Sequence, residues 1–243
     1  MTNPIKKPAP LLCLICLFLA PLPLLAAESK NFWGLQFEEL EYRYGYDSMD
    51  SSGIWGGDIF YGTDELKFRW LTNGEYENKS SSFHALGNEF VIQIPVTDFF
   101  DAKAGLRFDT PEGGENRSYA VFGITGLAPQ WFELDINFLI GEQGNISAGI
   151  DSQYELLLTN RLILTPSLVA DIAFYDDPEI GVGSGLTNSE IGLRLGYDVI
   201  DRAVSPYIGV FQENAHGKTA DLVNLKGGRL GQMYFSLGAK IIY

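Results

Sequence analysis

Glu133 and Asp135 stand two residues apart, and Asp151 and Glu155 stand four apart on the next extended segment. In an extended chain even spacing puts side chains on one face, so these acids form two short carboxylate rows. Asp58 belongs to the same class of inward-pointing acid. Carboxylates gathered in a confined, wet space attract cations and offer them oxygen ligands. His84 and His216 are the two histidines of the chain. Each reads first as a solvated surface imidazole and second as a nitrogen ligand beside the acids.

The elements that position these residues are strands of about ten residues, the length a tilted strand needs to cross a bilayer. Over residues 233–243, Met233, Phe235, Leu237, Ala239, Ile241 and Tyr243 take one side and Tyr234, Ser236, Gly238 and Lys240 the other. The same alternation sets Phe100, Ala102, Ala104, Leu106 and Phe108 against Asp101, Lys103, Arg107 and Asp109. It recurs where Leu162, Leu164, Leu168, Ala170, Ile172 and Phe174 oppose Thr165, Ser167 and Asp171. About twelve such segments follow one another. Turns at Thr97-Asp98, Pro129-Gln130, Thr159-Asn160 and Asp201-Arg202 alternate with longer Gly-, Ser-, Asn- and Asp-rich loops, the longest over residues 214–230. The pattern predicts an all-β, antiparallel transmembrane β-barrel of about twelve strands. Short periplasmic turns and longer outer loops would join them, with the apolar face in outer-membrane lipid.

Residues 1–27 carry Lys6 and Lys7, an apolar run closed by Pro21 and Pro23, and small residues before Glu28, the pattern of a cleaved signal peptide. The expected organisation is a signal peptide over 1–27 and a barrel over 28–243, exported to the outer membrane. Both cysteines, Cys13 and Cys16, fall in the leader, so the exported chain has no thiol for a disulfide or a metal site. Without Lys6 and Lys7 the chain keeps 15 of its 17 basic residues against 31 acidic ones, a formal charge of −16. Such a surface repels nucleic acid. Ser236, Gly238, Ile241 and Tyr243 resemble the terminal signal read by the barrel assembly machinery, an expected partner.

A more specific resemblance lies in a series of short segments. They are Trp55-Gly56-Gly57-Asp58, Gly126-Leu127-Ala128-Pro129, the run over 154–162, Asp176-Asp177-Pro178-Glu179, Gly183-Ser184-Gly185-Leu186, Gly192-Leu193-Arg194, Pro206-Tyr207-Ile208-Gly209-Val210 and Thr219-Ala220-Asp221. In this order, between Gly53 and Leu222, they resemble the copper resistance protein B family. The resemblance implies an outer-membrane barrel of copper tolerance, with copper ions and periplasmic copper-handling proteins as partners. Family members often carry a Met- and His-rich segment ahead of the barrel, whereas here residues 28–31 separate the expected cut from the first strand. Beyond the leader the chain has Met49, Met233, His84 and His216 as its Met and His residues. The expectation is therefore weak or transient copper binding by Glu133, Asp135, Asp151, Glu155 and Asp58, assisted by His84 or His216.

Two other readings stay open on sequence alone. A general cation-selective pore or a plugged structural barrel would share every feature of the strands. An outer-membrane hydrolase would need an activated nucleophile. Ser80, Ser81 and Ser82 precede His84, but no Gly-x-Ser-x-Gly element surrounds them, so no enzyme is expected.

Overall fold

The computed structural model describes residues 30–243, and the expected signal peptide lies outside them. The strands are β1 (Phe32–Gly45), β2 (Ser51–Gly62), β3 (Lys67–Glu77), β4 (Ser82–Pro95), β5 (Phe100–Asp109), β6 (Arg117–Ala128) and β7 (Phe132–Gly141). They continue as β8 (Ile146–Gln153), β9 (Leu156–Leu157), β10 (Leu162–Ala173), β11 (Gly185–Tyr197), β12 (Val204–Ala215) and β13 (Gly231–Ile242). All neighbours are antiparallel, β1 pairs with β13, and β10 bridges β8 to β11, so the sheet closes on itself. Closure satisfies the backbone of every stave within the wall, the condition for crossing hydrocarbon with strands.

β8 and β9 are one interrupted stave, giving a twelve-stave barrel. The interruption has a cause in the next strand. Tyr154 donates its N–H to the Pro166 carbonyl at 3.1 Å, but proline has no N–H to return. The ladder lapses there and resumes where Leu156 and Leu157 meet Leu164 and Ile163.

Side-chain alternation follows the expected register. Leu106, Phe122, Phe138, Leu168, Ile191, Leu193, Phe235 and Leu237 are exposed on the outer surface, while Lys103, Arg117, Tyr207, Phe211 and Ser236 are buried inside. Exposed aromatic residues sit at both rims: Trp33, Phe99, Trp131 and Tyr243 at the terminal end, where β1 begins and β13 finishes, and Tyr42, Tyr44 and Phe174 at the other. Amphipathic rings favour these interfaces.

Three of the turns on the terminal side share one device. Thr63, Thr97 and Thr159 each accept backbone N–H bonds at their Oγ1 from residues two and three positions on. On the far side two connections, 78–81 and 142–145, are as short as those turns, so the expected alternation of loop length is incomplete. The longest outer loop also contains α1 (Gly217–Leu225), where the Gly- and Asn-rich composition suggests irregular chain.

Phe122 lies mid-strand on the lipid face, so Phe122→Arg is expected to cost about 2–4 kcal/mol of stability in lipid vesicles. Tyr44→Arg, at the rim, is expected to cost no more than about 1 kcal/mol. Denaturant titrations followed by tryptophan fluorescence check this; equal losses would contradict the assigned membrane position.

Candidate functional site

Period-two alternation puts one residue in two inside, but the first strand departs from it. A bulge between Phe37 and Glu39 inserts Glu38, which faces the lumen with its neighbour Glu39. Strict alternation would send Glu38 to lipid, so period alone misses it. No local residue type marks the bulge.

On one wall Arg43 donates through Nε to Glu41 at 2.6 Å and through Nη1 to Glu190 at 2.5 Å. Its guanidinium lies 4.1 Å from the centre of the Phe211 ring, which Arg194 approaches to 4.9 Å. Arg194 also binds Glu39, and the Tyr207 hydroxyl donates to Glu41 at 3.0 Å. Gly192 and Gly209 make room for Phe211: a Cβ would come within 2.7 Å and 2.8 Å of its ring.

The facing wall is laced differently. Arg69 binds Asp58 at 2.8 Å and Gln93 at 3.1 Å, and Gln93 reaches Asp101 at 2.5 Å. Lys103 binds Asp135 at 2.8 Å and lies 3.8 Å from Glu89. Arg107 binds Asp109 at 2.8 Å. Toward the terminal end, Lys240 joins Glu38 at 3.1 Å and Glu155 at 3.3 Å, and Arg202 joins Glu155 at 3.3 Å.

The seven expected site residues thus divide. Asp58, Asp135 and Glu155 are engaged by basic partners, while Glu133 accepts an amide hydrogen bond from Gln153 at 2.7 Å. Asp151 faces the central cavity of about 680 Å³ with no ion-pair or hydrogen-bond partner among the described residues, and it lies directly opposite Asp135 across the β7–β8 ladder. His84 is exposed in β4 at its outer end. His216 precedes α1, and its Nε2 lies 2.7 Å from the Ser189 hydroxyl. The structure brings Asp58, Glu133, Asp135 and Asp151 to one cavity and leaves Glu155 and the two histidines outside it.

Asp171, Glu75 and Glu213 also lack ion-pair partners among the described residues. By contrast Arg43, Lys67, Arg69, Lys103, Arg107, Arg117, Arg194 and Lys240 all have acidic partners. The unpaired charge of the lumen is therefore negative. Among the described residues no three His, Cys, Asp or Glu side chains converge as a ready-made metal centre. Met49 is exposed in an outer turn and Met233 lies on the lipid face, so neither thioether enters the cavity.

Outer loops pack over the far end. The Thr219 hydroxyl accepts from the Gly183 N–H at 2.9 Å, Arg117 binds Glu179 at 2.7 Å, and Lys218 binds Asp176 at 2.9 Å. The Ser184 backbone N–H and the Lys218 ammonium hold the Asp176 carboxyl down at about 2.

The family model described as copper resistance protein B precursor matches residues 31–243. The chain belongs to the copper resistance protein B family. It is 33% identical over 204 residues to copper resistance protein B of Escherichia coli, a match covering 84% of this chain and 67% of that one. It is 35% identical over 199 residues to a copper resistance protein B homolog of Pseudomonas syringae pv. tomato, covering 80% of this chain and 63% of that one. The aligned stretch thus spans about two thirds of these relatives' own lengths. Among solved structures, the NanC porin superposes with a TM-score of 0.53 at 10% identity, covering 86% of this chain and 99% of that one. The KdgM porin gives 0.50 at 8% identity, covering 86% and 98%. These likenesses show the barrel fold. Family and fold together make the chain an outer-membrane barrel of the copper resistance protein B family.

Asp58→Asn strands the Arg69 guanidinium and is expected to cost on the order of 3 kcal/mol. Asp151→Asn removes a like charge opposite Asp135 and is expected to change stability by less than about 1 kcal/mol, in the stabilising direction. Denaturant midpoints of the refolded barrel check both; a larger loss for Asp151→Asn would contradict the assigned pairing. Because Asp176 is held low, the contribution of its contacts is present above the ordinary carboxylate range and is lost as pH falls toward about 2. Cleavage of the outer loops by pepsin, corrected for the enzyme's own pH dependence, should accelerate only in that acidic window.

Proposed function

We propose that this barrel supports copper tolerance by taking up copper(II) transiently on lumenal carboxylates and passing it along the lumen. The observation that carries the reading is the sign of the unpaired lumenal charge: the cations are matched, and Asp151, Asp171, Glu75 and Glu213 are not. Unpaired carboxylates in a narrow aqueous space concentrate cations.

Glu133, Asp135 and Asp151 form the central step, because they line one cavity from the paired strands β7 and β8, while Asp58 lines it from β2. Asp58 and Glu155 shape its electrostatics while held by Arg69 and Lys240. His84 and His216 stand toward the outer end, where an imidazole suits an arriving copper(II) ion. Spread-out oxygen donors favour exchange over retention, which fits passage better than storage. Periplasmic copper-handling proteins would exchange copper at the terminal end, and the barrel assembly machinery would insert the chain through its last strand.

The test is copper tolerance of cells expressing the barrel with Glu133→Gln, Asp135→Asn and Asp151→Asn combined. Tolerance is expected to fall toward that of cells lacking the protein while folded barrel in the outer membrane stays at its normal level. Full tolerance with normal assembly would contradict the reading.

A further inference from the structure

The lumen is not uniformly wide. A cavity of about 260 Å³ near Ile242, Asp198 and Arg202 lies at the terminal end, and the cavity of about 680 Å³ lies above it. Gln36, Glu38, Glu133, Gln153 and Arg194 line both, so they mark the boundary between the two.

That boundary is bridged from side to side. β1 and β8 are five steps apart around the twelve-stave ring, close to a diameter, yet the Gln153 amide reaches Glu38 at 3.4 Å and Glu133 at 2.7 Å. Lys240 on β13 binds Glu38 at 3.1 Å and also Glu155, four steps away, at 3.3 Å. The bulge in β1 makes this possible by turning Glu38 inward.

We propose that Lys240, strung between Glu38 and Glu155, is the residue that limits cation passage between the central lumen and the terminal mouth. This rests on the reading of the lumen as a cation path. The ammonium blocks the path sterically and repels an approaching cation, and it neutralises Glu38, which has no other cationic partner among the described residues. Gln153 holds Glu38 in place without adding charge.

Single-channel recording in planar bilayers with potassium chloride tests this. Lys240→Gln, checked for folding by heat-dependent gel migration, is expected to raise conductance several-fold and to shift the reversal potential in a salt gradient toward potassium. Lys240→Arg is expected to behave like the unaltered barrel. Unchanged conductance and reversal potential in folded Lys240→Gln would overturn the proposal. If that variant does not assemble, Lys240→Met, which keeps the apolar stem and removes the charge, decides: raised conductance supports the constriction, and unaltered conductance overturns it. Potassium is the probe, so this outcome is separate from whether copper is the cargo.

Discussion

A charge inside this barrel must be paired or hydrated, and that constraint organises the molecule. The closed ladder lets strands cross lipid, and alternation then delivers half of their side chains to a shared interior. Arg43, Arg69, Lys103 and Arg194 bind that interior together across strands. Because acids outnumber bases in the chain, such pairing ends with carboxylates left over. The residual charge is thus a consequence of composition acting through topology.

The same constraint explains why the site differs from a chelating centre. Three converging ligands would demand more unpaired acid in one place than the cross-strand ion pairs leave. Asp135 is drawn toward Lys103 while Asp151 opposite it has no partner among the described residues, so the central cavity offers loosely arranged oxygens. For an ion in transit, weak sites in series are more useful than a deep one.

Strands with clear alternation and the Thr97 and Thr159 turns were legible in the sequence, because both signals are local. The inward placement of Glu133, Asp135 and Asp151 followed from the same period. Their different partners did not, since lumenal pairs join residues remote in sequence, Arg43 and Glu190 being 147 positions apart. Glu38 was hidden by a bulge. The break at Tyr154 was hidden too, because Pro166 matters to it only once β8 and β10 are paired. α1 lay concealed in a Gly- and Asn-rich loop, and it docks through Thr219 on a second loop.

The central claim is that the leftover carboxylates of the folded lumen take copper(II). Equilibrium dialysis of copper(II) against detergent-solubilised folded barrel, with calcium and magnesium as competitors, tests it most directly. Weak, reversible binding that disappears when Glu133, Asp135 and Asp151 are neutralised together is expected. Absence of binding, or binding untouched by that change, would contradict it.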